Sequence, residues 1–134
     1  MSFMPAGYVW NRRNVAWFIH TITIGASGAI SSQDAAADSG VVAAKASQAG
    51  RYTLTFPGKG FRKFQGAYTI LIGDATNQFG AVSVGFDSLC RAEHIDDATN
   101  PPTVIVQFVN SSTNYTDADL PSGTVVKIHT CVEF

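Results

Sequence analysis

The sequence predicts an all-β protein, a single β-sandwich or jelly-roll-like domain of about eight antiparallel strands with an N-terminal arm. Three runs support this prediction, at residues 51–56, 82–86 and 124–134, because apolar and polar side chains alternate in each. This period of two directs one set of side chains to a core and the other set to solvent. Turn-forming residues separate the runs at roughly ten-residue spacing, which is typical of sandwiches and jelly rolls.

Residues 1–16 form the predicted arm, and residues 17–134 form the predicted β-sandwich domain. Strands are expected at residues 17–24, 41–46, 51–56, 67–72, 79–87, 88–95, 103–109 and 124–134. We expect the strands at 51–56 and 67–72 to pair with each other, because Pro57 and the glycines after it form a short connection between them.

The stretch 25–40 is rich in Gly, Ala, Ser and Asp and predicts a loop. One helical turn is expected within it, over residues 32–37, with Ser32 as its cap. The strand at 41–46 is expected to form a hairpin with the strand that follows, and a short helix is the alternative there.

The alternation also predicts which side chains form the core. The expected core residues are Phe18, Ile22, Tyr52, Leu54, Phe56, Ile70, Ile72, Val84, Phe86, Val104, Val106, Phe108, Val126 and Ile128. The strand at 17–24 is apolar on both sides, so we expect both of its faces to be partly covered. The nearly continuous apolar run at 103–109 predicts a central strand.

Length and composition predict one domain that packs against neighbours. A chain of 134 residues can bury most of its apolar surface without a metal ion or a disulfide. Hydrophobic residues make up 46% of the sequence and charged residues only 14%, below the share of about a quarter that is usual in soluble domains. Much of the surface must therefore be neutral, which suits contact with other proteins.

Nothing in the sequence predicts a membrane span, a secretory signal or a disulfide. The apolar runs are shorter than the ~20 residues that cross a bilayer. The N-terminus lacks an apolar core followed by a small-residue cleavage site, so we expect synthesis and folding in a cytoplasm. Cys90 and Cys131 match no metal-binding spacing and are expected to be free, buried thiols.

The formal net charge of −1 conceals a division between the two halves of the chain. Residues 1–67 contain seven basic and two acidic side chains, a balance of +5. Residues 68–134 contain two basic and eight acidic side chains, a balance of −6. If the two halves occupy different ends of the fold, such a polar charge distribution favours contacts between copies over nucleic-acid binding.

No catalytic, metal-binding or cofactor-binding motif occurs in the sequence, so we expect a protein that is not an enzyme and has no cofactor. His20, His94 and His129 lack the spacing of a metal site and are interpreted as structural histidines. Asp117 and Asp119 lie in a loop without the calcium-binding pattern, and turn formation explains them better.

The arm is the first candidate partner-binding segment. Phe3, Tyr8, Trp10, Arg12 and Arg13 combine aromatic and arginine side chains, which are enriched at the hot spots of interfaces. The arm either docks onto another protein or covers the core of its own chain.

The second candidate partner-binding segment is the loop with Lys59, Arg62 and Lys63, which Phe61 and Phe64 flank. Charge combined with aromatic stacking would suit single-stranded nucleic acid. Because the cluster is small and the remainder of the chain is acidic, ion pairs with an acidic neighbour explain the loop better. We therefore expect neither nucleic acid nor a membrane as a partner.

Four stretches in this order resemble small structural proteins of tailed bacteriophages, of the capsid decoration or cement type. They are residues 25–30, residues 49–54, Lys63 and Phe64 before residues 68–73, and residues 116–126. The last stretch contains a short Asp-Ala-Asp-x-Pro-x-Gly turn before the final strand. The resemblance covers residues 17–134 and leaves the arm unmatched.

The resemblance implies a virion protein without enzymatic activity that is made in the cytoplasm of a bacterial host and sits on the outside of a head. Its expected partners are the major capsid protein, whose neighbouring subunits it would clamp, and further copies of itself in a dimer or trimer. The alternative is a β-sandwich of a tail or fibre that binds a receptor or carbohydrate, with Tyr115, Asp117 and Asp119 as the best candidates.

Overall fold

The structure is a computed structural model that describes residues 15–56, 63–72, 86–94, 102–110 and 114–133. These ranges contain nine strands, β1 (Val15–Ile24), β2 (Ile30–Gln33), β3 (Val42–Lys45), β4 (Arg51–Thr55), β5 (Lys63–Ile72), β6 (Phe86–His94), β7 (Thr103–Asn110), β8 (Thr116–Asp117) and β9 (Val125–Glu133). Helical structure within these ranges is limited to a 3-10 turn at Ala26–Gly28 and a single helical turn, α1 (Ala36–Ser39). The all-β prediction is therefore confirmed for the described part of the chain.

The strands form two antiparallel sheets. Sheet one has the order β2-β1-β9-β5, and sheet two has the order β3-β4-β7-β6, with β8 paired to the end of β7. β9 lies between β1 and β5 along its whole length. At one end of this ladder Glu133 lies between Val15 and Lys63, and at the other end Val125 lies between Thr23 and Ile72.

Alternate residues of both sheets point into one hydrophobic core, as their period of two predicts. Nine predicted core residues are buried, namely Ile22, Tyr52, Leu54, Phe56, Val104, Val106, Phe108, Val126 and Ile128. Phe18 is partly buried against this core, and its ring meets the ring of Phe56 nearly edge-on, with 5.3 Å between the centroids. The expectation of a central strand at 103–109 is confirmed, because β7 lies between β4 and β6.

The predicted register of β5 is wrong. Ile70, expected in the core, is half exposed, and Leu71 packs against the core instead, while Ile72 is only partly buried. The ladder between β5 and β9 shifts by one residue between Phe64 and Gly66, which marks a β-bulge or irregularity. A change of one residue turns the whole set of side chains to the other face. Two further expected core side chains, those of Val84 and Phe86, lie outside the described part of the structure.

The predicted pairing of β4 with β5 is also wrong. β4 pairs with β3 and β7 in sheet two, whereas β5 pairs with β9 in sheet one. β5 begins at Lys63, four residues before the expected start. The chain therefore changes sheets between β4 and β5.

Residues 25–40 contain more structure than the predicted loop. Ser32, expected as a helix cap, lies in β2 opposite Thr23 of β1. The helical turn begins at Ala36 and ends before Gly40, whose φ of 73° is left-handed and suits glycine. The expected hairpin of β3 and β4 is confirmed. β1 begins at Val15, so the last two residues of the predicted arm are part of sheet one.

Side chains link the two sheets along both sides of the sandwich. The Gln33 side chain in β2 accepts a hydrogen bond from the Ala43 N–H at 2.9 Å and donates one to the Ala43 carbonyl oxygen at 3.1 Å. It thereby binds the free edge of β3 as a neighbouring strand would. On the opposite side the hydroxyl oxygens of Thr69 and Ser88 lie 2.7 Å apart and join β5 to β6.

Candidate functional site

Sheet one exposes a band of apolar and aromatic side chains on the side that faces away from the core. We call this band the outer face; it consists of Val15, Trp17 and Ile19 of β1, Lys127, His129 and Cys131 of β9, and Tyr68 and Ile70 of β5. Its large hydrophobic side chains are 56% exposed at Trp17, 49% at Ile19, 48% at Tyr68, 45% at Ile70 and 42% at Val15. These values agree with the expectation that both faces of the first strand are partly covered, since Trp17 and Ile19 are about half exposed.

Two aromatic rings meet above the central strand of the outer face. Trp17 lies opposite Cys131, and Tyr68 lies opposite His129, on the two strands that flank β9. The rings of Trp17 and Tyr68 are 5.9 Å apart at an angle of 66°, an edge-to-face contact. Tyr68 also stacks on His129, with 4.5 Å between the ring centroids and nearly parallel planes. The aromatic side chains therefore cover the middle of β9.

This cover has consequences for the two β9 side chains beneath it. Cys131 is a free cysteine, buried although it points away from the core, and burial raises the pKa of its thiol above the ordinary value. The Nε2 atom of His129 is buried and has no hydrogen-bond partner among the described residues. Buried polar atoms are usually paired, so this nitrogen is an unusual feature of the outer face.

The outer side of sheet two differs in character. Arg51 of β4 donates a hydrogen bond to Gln107 of β7 at 3.2 Å and lies 3.6 Å from Asp117 of β8. Gln107 also donates to Asp117. Val42 is an exposed apolar residue at the edge of this sheet. Sheet two therefore presents a network of polar side chains where sheet one presents aromatic rings.

The predicted partner-binding residues Phe3, Tyr8, Trp10, Arg12, Arg13, Lys59 and Arg62 lie outside the described residues. Lys63 is the first residue of β5, where its backbone but not its side chain is described. The register shows where the two predicted segments join the sheet, because Val15 and Lys63 both lie opposite Glu133. The arm and the basic loop are therefore attached at the same end of sheet one, two strands apart.

Sequence reasoning missed Trp17 and Tyr68 as site residues. The available signal was that Trp17 and Ile19 are apolar on the side of their strand opposite the core residue Phe18. In a fold of two sheets, only one side of each strand has a core to face. The second apolar side of β1 therefore faces away from the core.

The carboxylates of the predicted receptor-binding loop are engaged within the fold. Asp119 accepts a hydrogen bond from the Gly50 N–H at 2.6 Å and lies 3.2 Å from the Lys45 ammonium group. Asp117 pairs with Arg51. Tyr115, with a positive φ of 57°, is 65% exposed, and Asp117 is exposed as well. These contacts hold the loop against β4 and favour the turn-forming interpretation of the two aspartates.

His20 is part of a hydrogen-bonded chain with two other side chains. Its Nε2 lies 2.9 Å from Oε1 of Gln33, and its Nδ1 lies 2.7 Å from the Ser39 hydroxyl oxygen. Since Gln33 Oε1 also accepts from Ala43, we assign the proton to Nε2, and the Ser39 hydroxyl donates to Nδ1. The ring is fully buried, and the Ser39 hydroxyl oxygen also accepts from the Val41 N–H at 3.1 Å. The interpretation of His20 as a structural histidine is confirmed.

No protein-family model, curated protein or solved structure matches the chain. The resemblance to capsid decoration proteins therefore remains a proposal from the residues themselves. Among the described residues, no cluster of three or more His, Cys, Asp or Glu side chains forms a metal-binding group. No helix in the described ranges has the length and apolar character needed to cross a membrane.

Proposed function

We propose that this protein is a structural protein of a tailed-bacteriophage virion, without enzymatic activity, that decorates the outside of the head and clamps neighbouring major capsid subunits. It would be made in the cytoplasm of the bacterial host and then join the particle. The observation that carries the proposal is the outer face, which is the docking surface for a neighbouring protein of the particle.

The composition of the outer face supports a protein partner. Trp17 and Tyr68 belong to the residue types that are enriched at interface hot spots, and both are about half exposed. Contiguous exposed apolar surface is uncommon on proteins that act alone and marks sites of interaction. The side chains are carried by paired strands, so docking orders little backbone and loses little conformational entropy.

The sheet edges are less suited to docking than the outer face. The edge of β3 is bound by the Gln33 side chain, and the edges of β5 and β6 are joined through Thr69 and Ser88. An added strand needs a free row of backbone N–H and C=O groups, which these contacts obstruct. Docking through side chains of the outer face requires no such row.

We further propose that the sandwich is of the jelly-roll kind. The chain passes between the sheets four times, with β1 and β2 in sheet one, β3 and β4 in sheet two, β5 in sheet one, β6 to β8 in sheet two and β9 in sheet one. β1 and β9, distant in sequence, are neighbours in sheet one. Long connections that return late strands beside early ones are characteristic of Greek-key and jelly-roll domains.

The arm and the basic loop provide the second contact that a clamp requires. Both are attached at the Glu133 end of sheet one, so they would reach the same region of a neighbouring subunit. Arg12, Arg13, Lys59, Arg62 and Lys63 would form ionic contacts at the rim of that interface. Rim charges change the association rate and its salt dependence more than they change the final affinity.

The test is to add purified protein to undecorated particles and to measure occupancy against protein concentration. The Trp17→Ala/Tyr68→Ala variant should bind at least about tenfold more weakly, since each aromatic anchor contributes roughly 2 kcal/mol. Val42→Ala is the matched control, because Val42 is equally exposed but lies in sheet two. A chain that starts at Val15 and a Lys59/Arg62/Lys63 charge reversal test the arm and the loop in the same assay.

Two outcomes would contradict the proposal. If the wild-type protein binds no particle, or is found in a few copies at the tail, the decoration role is wrong and the tail or fibre alternative gains support. If the double aromatic variant binds as the wild type does, the outer face is not the docking surface. Thermal unfolding of each variant shows whether a loss of binding reflects a loss of fold.

A further inference from the structure

We infer that the neighbour on the outer face is a second copy of this chain, related by a two-fold axis that lies between the two faces, over the middle of each and perpendicular to β9. The inference rests on the proposed function only in taking the outer face as a docking surface. It assigns that surface to self-association and leaves the capsid contact to the arm and the basic loop.

The charges along β9 carry the inference. Lys127, at one end of the outer face, is exposed and lies between Thr21 and Ile70. Glu133, at the other end, points to the same side of the sheet and lies between Val15 and Lys63. The central strand of the face therefore carries a positive charge at one end and a negative charge at the other, about 20 Å apart at the usual rise of a strand.

A two-fold axis relates these charges to each other. The midpoint between positions 127 and 133 is Thr130, which lies between His129 and Cys131, beneath the meeting point of Trp17 and Tyr68. Rotation by 180° about an axis that lies above that midpoint, in the plane between the two faces and perpendicular to β9, sets the second copy face to face with the first and exchanges the two ends of β9. When a second copy related by a two-fold axis packs face to face with strands antiparallel, Lys127 of each copy faces Glu133 of the other.

The alternative arrangement, in which the β9 strands of the two copies run parallel, is disfavoured. It would place Lys127 against Lys127 and Glu133 against Glu133, and like charges in contact are repulsive. The antiparallel arrangement makes two opposite-charge contacts and superimposes the aromatic middle of one face on that of the other. A two-fold interface must be self-complementary in this way, since the same patch serves both subunits.

Sheet packing also fits this arrangement. Two sheets pack face to face at about 10 Å with their strands roughly 30° apart, so the long side chain of Lys127 can span the remaining offset to the second copy. Glu133 is largely buried and accepts a 2.7 Å hydrogen bond from Gln65, which holds its carboxylate in place. The exposed and flexible lysine is thus the partner that moves, and the glutamate is the fixed charge.

The size of the face predicts a weak dimer in free solution. Three strands of nine residues cover roughly 30 Å by 14 Å, about 400 Å². Stable complexes bury about 800 Å² on each partner, so we expect association in the micromolar to millimolar range. On a particle, where copies are held close together, the same contact becomes effectively intramolecular and much stronger.

The experiment is sedimentation equilibrium of the full chain at concentrations up to about 1 mM, with charge-reversal variants. Lys127→Glu and Glu133→Lys should each weaken the dimer about tenfold, because each creates two like-charge contacts. An equimolar mixture of the two variants should recover wild-type association, since every contact in the mixed dimer joins opposite charges. Asp38→Lys, an exposed reversal on α1, is the matched control and should leave the dimer unchanged.

The antiparallel arrangement predicts both weakening in each variant alone and recovery in the mixture, whereas stacking in the same direction predicts no weakening in the single variants. A chain that stays monomeric up to about 1 mM, a trimer, or a mixture that does not recover would each overturn the inference. If Glu133→Lys fails to fold, Glu133→Gln replaces it and should weaken the dimer by less than Lys127→Glu does. The proposed function would survive such a failure if Trp17→Ala/Tyr68→Ala still loses particle binding, and the outer face would then contact a capsid subunit directly.

Discussion

The hydroxyl group of Tyr52 donates a 2.6 Å hydrogen bond to the carbonyl oxygen of Gly28. Tyr52 lies in β4 of sheet two, and Gly28 follows β1 of sheet one, so the bond joins the sheets at one end of the core. Burial, with a further contribution from the nearby Asp119 carboxylate, raises the pKa of Tyr52 to about 12. The core therefore favours the protonated form of the phenol.

Stability should therefore fall at high pH. The pKa of Tyr52 is about 12 in the folded chain and 10.0 in the unfolded chain, so the folded state holds the proton more tightly. The contribution is complete below pH 10 and is lost as the pH rises toward 12, by up to about 1.4 kcal/mol per pH unit. The measurement is the free energy of unfolding in urea between pH 8 and pH 12. Tyr52→Phe should be less stable at pH 8 but less sensitive to pH above 10, and parallel curves for the two proteins would contradict the assignment.

Replacement of Gly50 by alanine should be strongly destabilising. Gly50 has a φ of 66°, and an added Cβ would overlap the carbonyl oxygen of Ala118 and come within 2.6 Å of that of Phe108. Both atoms belong to the backbone and cannot move aside cheaply, so we expect a loss of roughly 3 kcal/mol or more. Gly66→Ala is the control, because Gly66 also has a positive φ but no atom lies within 4 Å of its added Cβ. Equal losses for the two variants would show that steric overlap is not the cause.

Loss of the Asp119 carboxylate should detach the loop before β9. The carboxylate accepts from the Gly50 N–H and pairs with Lys45, and both contacts are only partly buried. We expect Asp119→Ala to lower the free energy of unfolding by about 1–2 kcal/mol, because a charge-assisted bond to the backbone is removed. Hydrogen exchange at the Gly50 amide should accelerate more than exchange in β9. An unchanged Gly50 amide would argue that the loop is held by other contacts.

The Gln33 side chain should be sensitive to an apolar replacement of similar size. Gln33→Leu would leave His20 Nε2 and both backbone groups of Ala43 without their present partner. Each buried group that loses its partner costs about 1–3 kcal/mol, so the loss should clearly exceed that of Ser32→Ala in the same strand. Thermal unfolding of the two variants compares them directly. A Gln33→Leu protein as stable as Ser32→Ala would mean that the link between β2 and β3 is not needed.

Cys131 should react slowly with alkylating reagents in the native protein. Its thiol is buried, and burial raises its pKa, so little thiolate is present at pH 8. Trp17→Ala removes part of the cover over β9 and should raise the rate roughly tenfold or more. Peptide mass spectrometry distinguishes Cys131 from Cys90. Fast labelling of Cys131 in the wild type, or a mass two hydrogens lower without reductant, would contradict a buried free thiol.

The sequence predicts those parts of the fold in which one face of a strand differs clearly from the other. In β4, Tyr52 and Leu54 alternate with Arg51 and Thr53. The two apolar side chains are buried, as this alternation predicts. In β5, residues 67–72 are apolar on both sides of the strand. The irregularity between Phe64 and Gly66 then decides the register, and no local pattern reports it.

The outer face could not be predicted from the sequence for a related reason. Trp17 and Tyr68 come together only because β9, more than fifty residues beyond Tyr68, lies between their strands. Apolar alternation on the second side of β1 was visible in the sequence, but the existence of an uncovered face depends on which strands pair. The positions of Asp117 and Asp119 had a local explanation as turn residues, and their contacts with Arg51 and Lys45 agree with it.

The central position of β9 sets the order in which the protein can be assembled during translation. β1 and β5 both hydrogen-bond to β9, so sheet one has only its short β1–β2 ladder until residues 125–133 have emerged from the ribosome. Sheet two has its main strands by residue 110 and can form first. Pairing between strands so far apart in sequence gives a high contact order, so sheet one should form slowly. A translation product that stops before residue 125 would leave β1 and β5 without their common neighbour and should be a target for proteolysis.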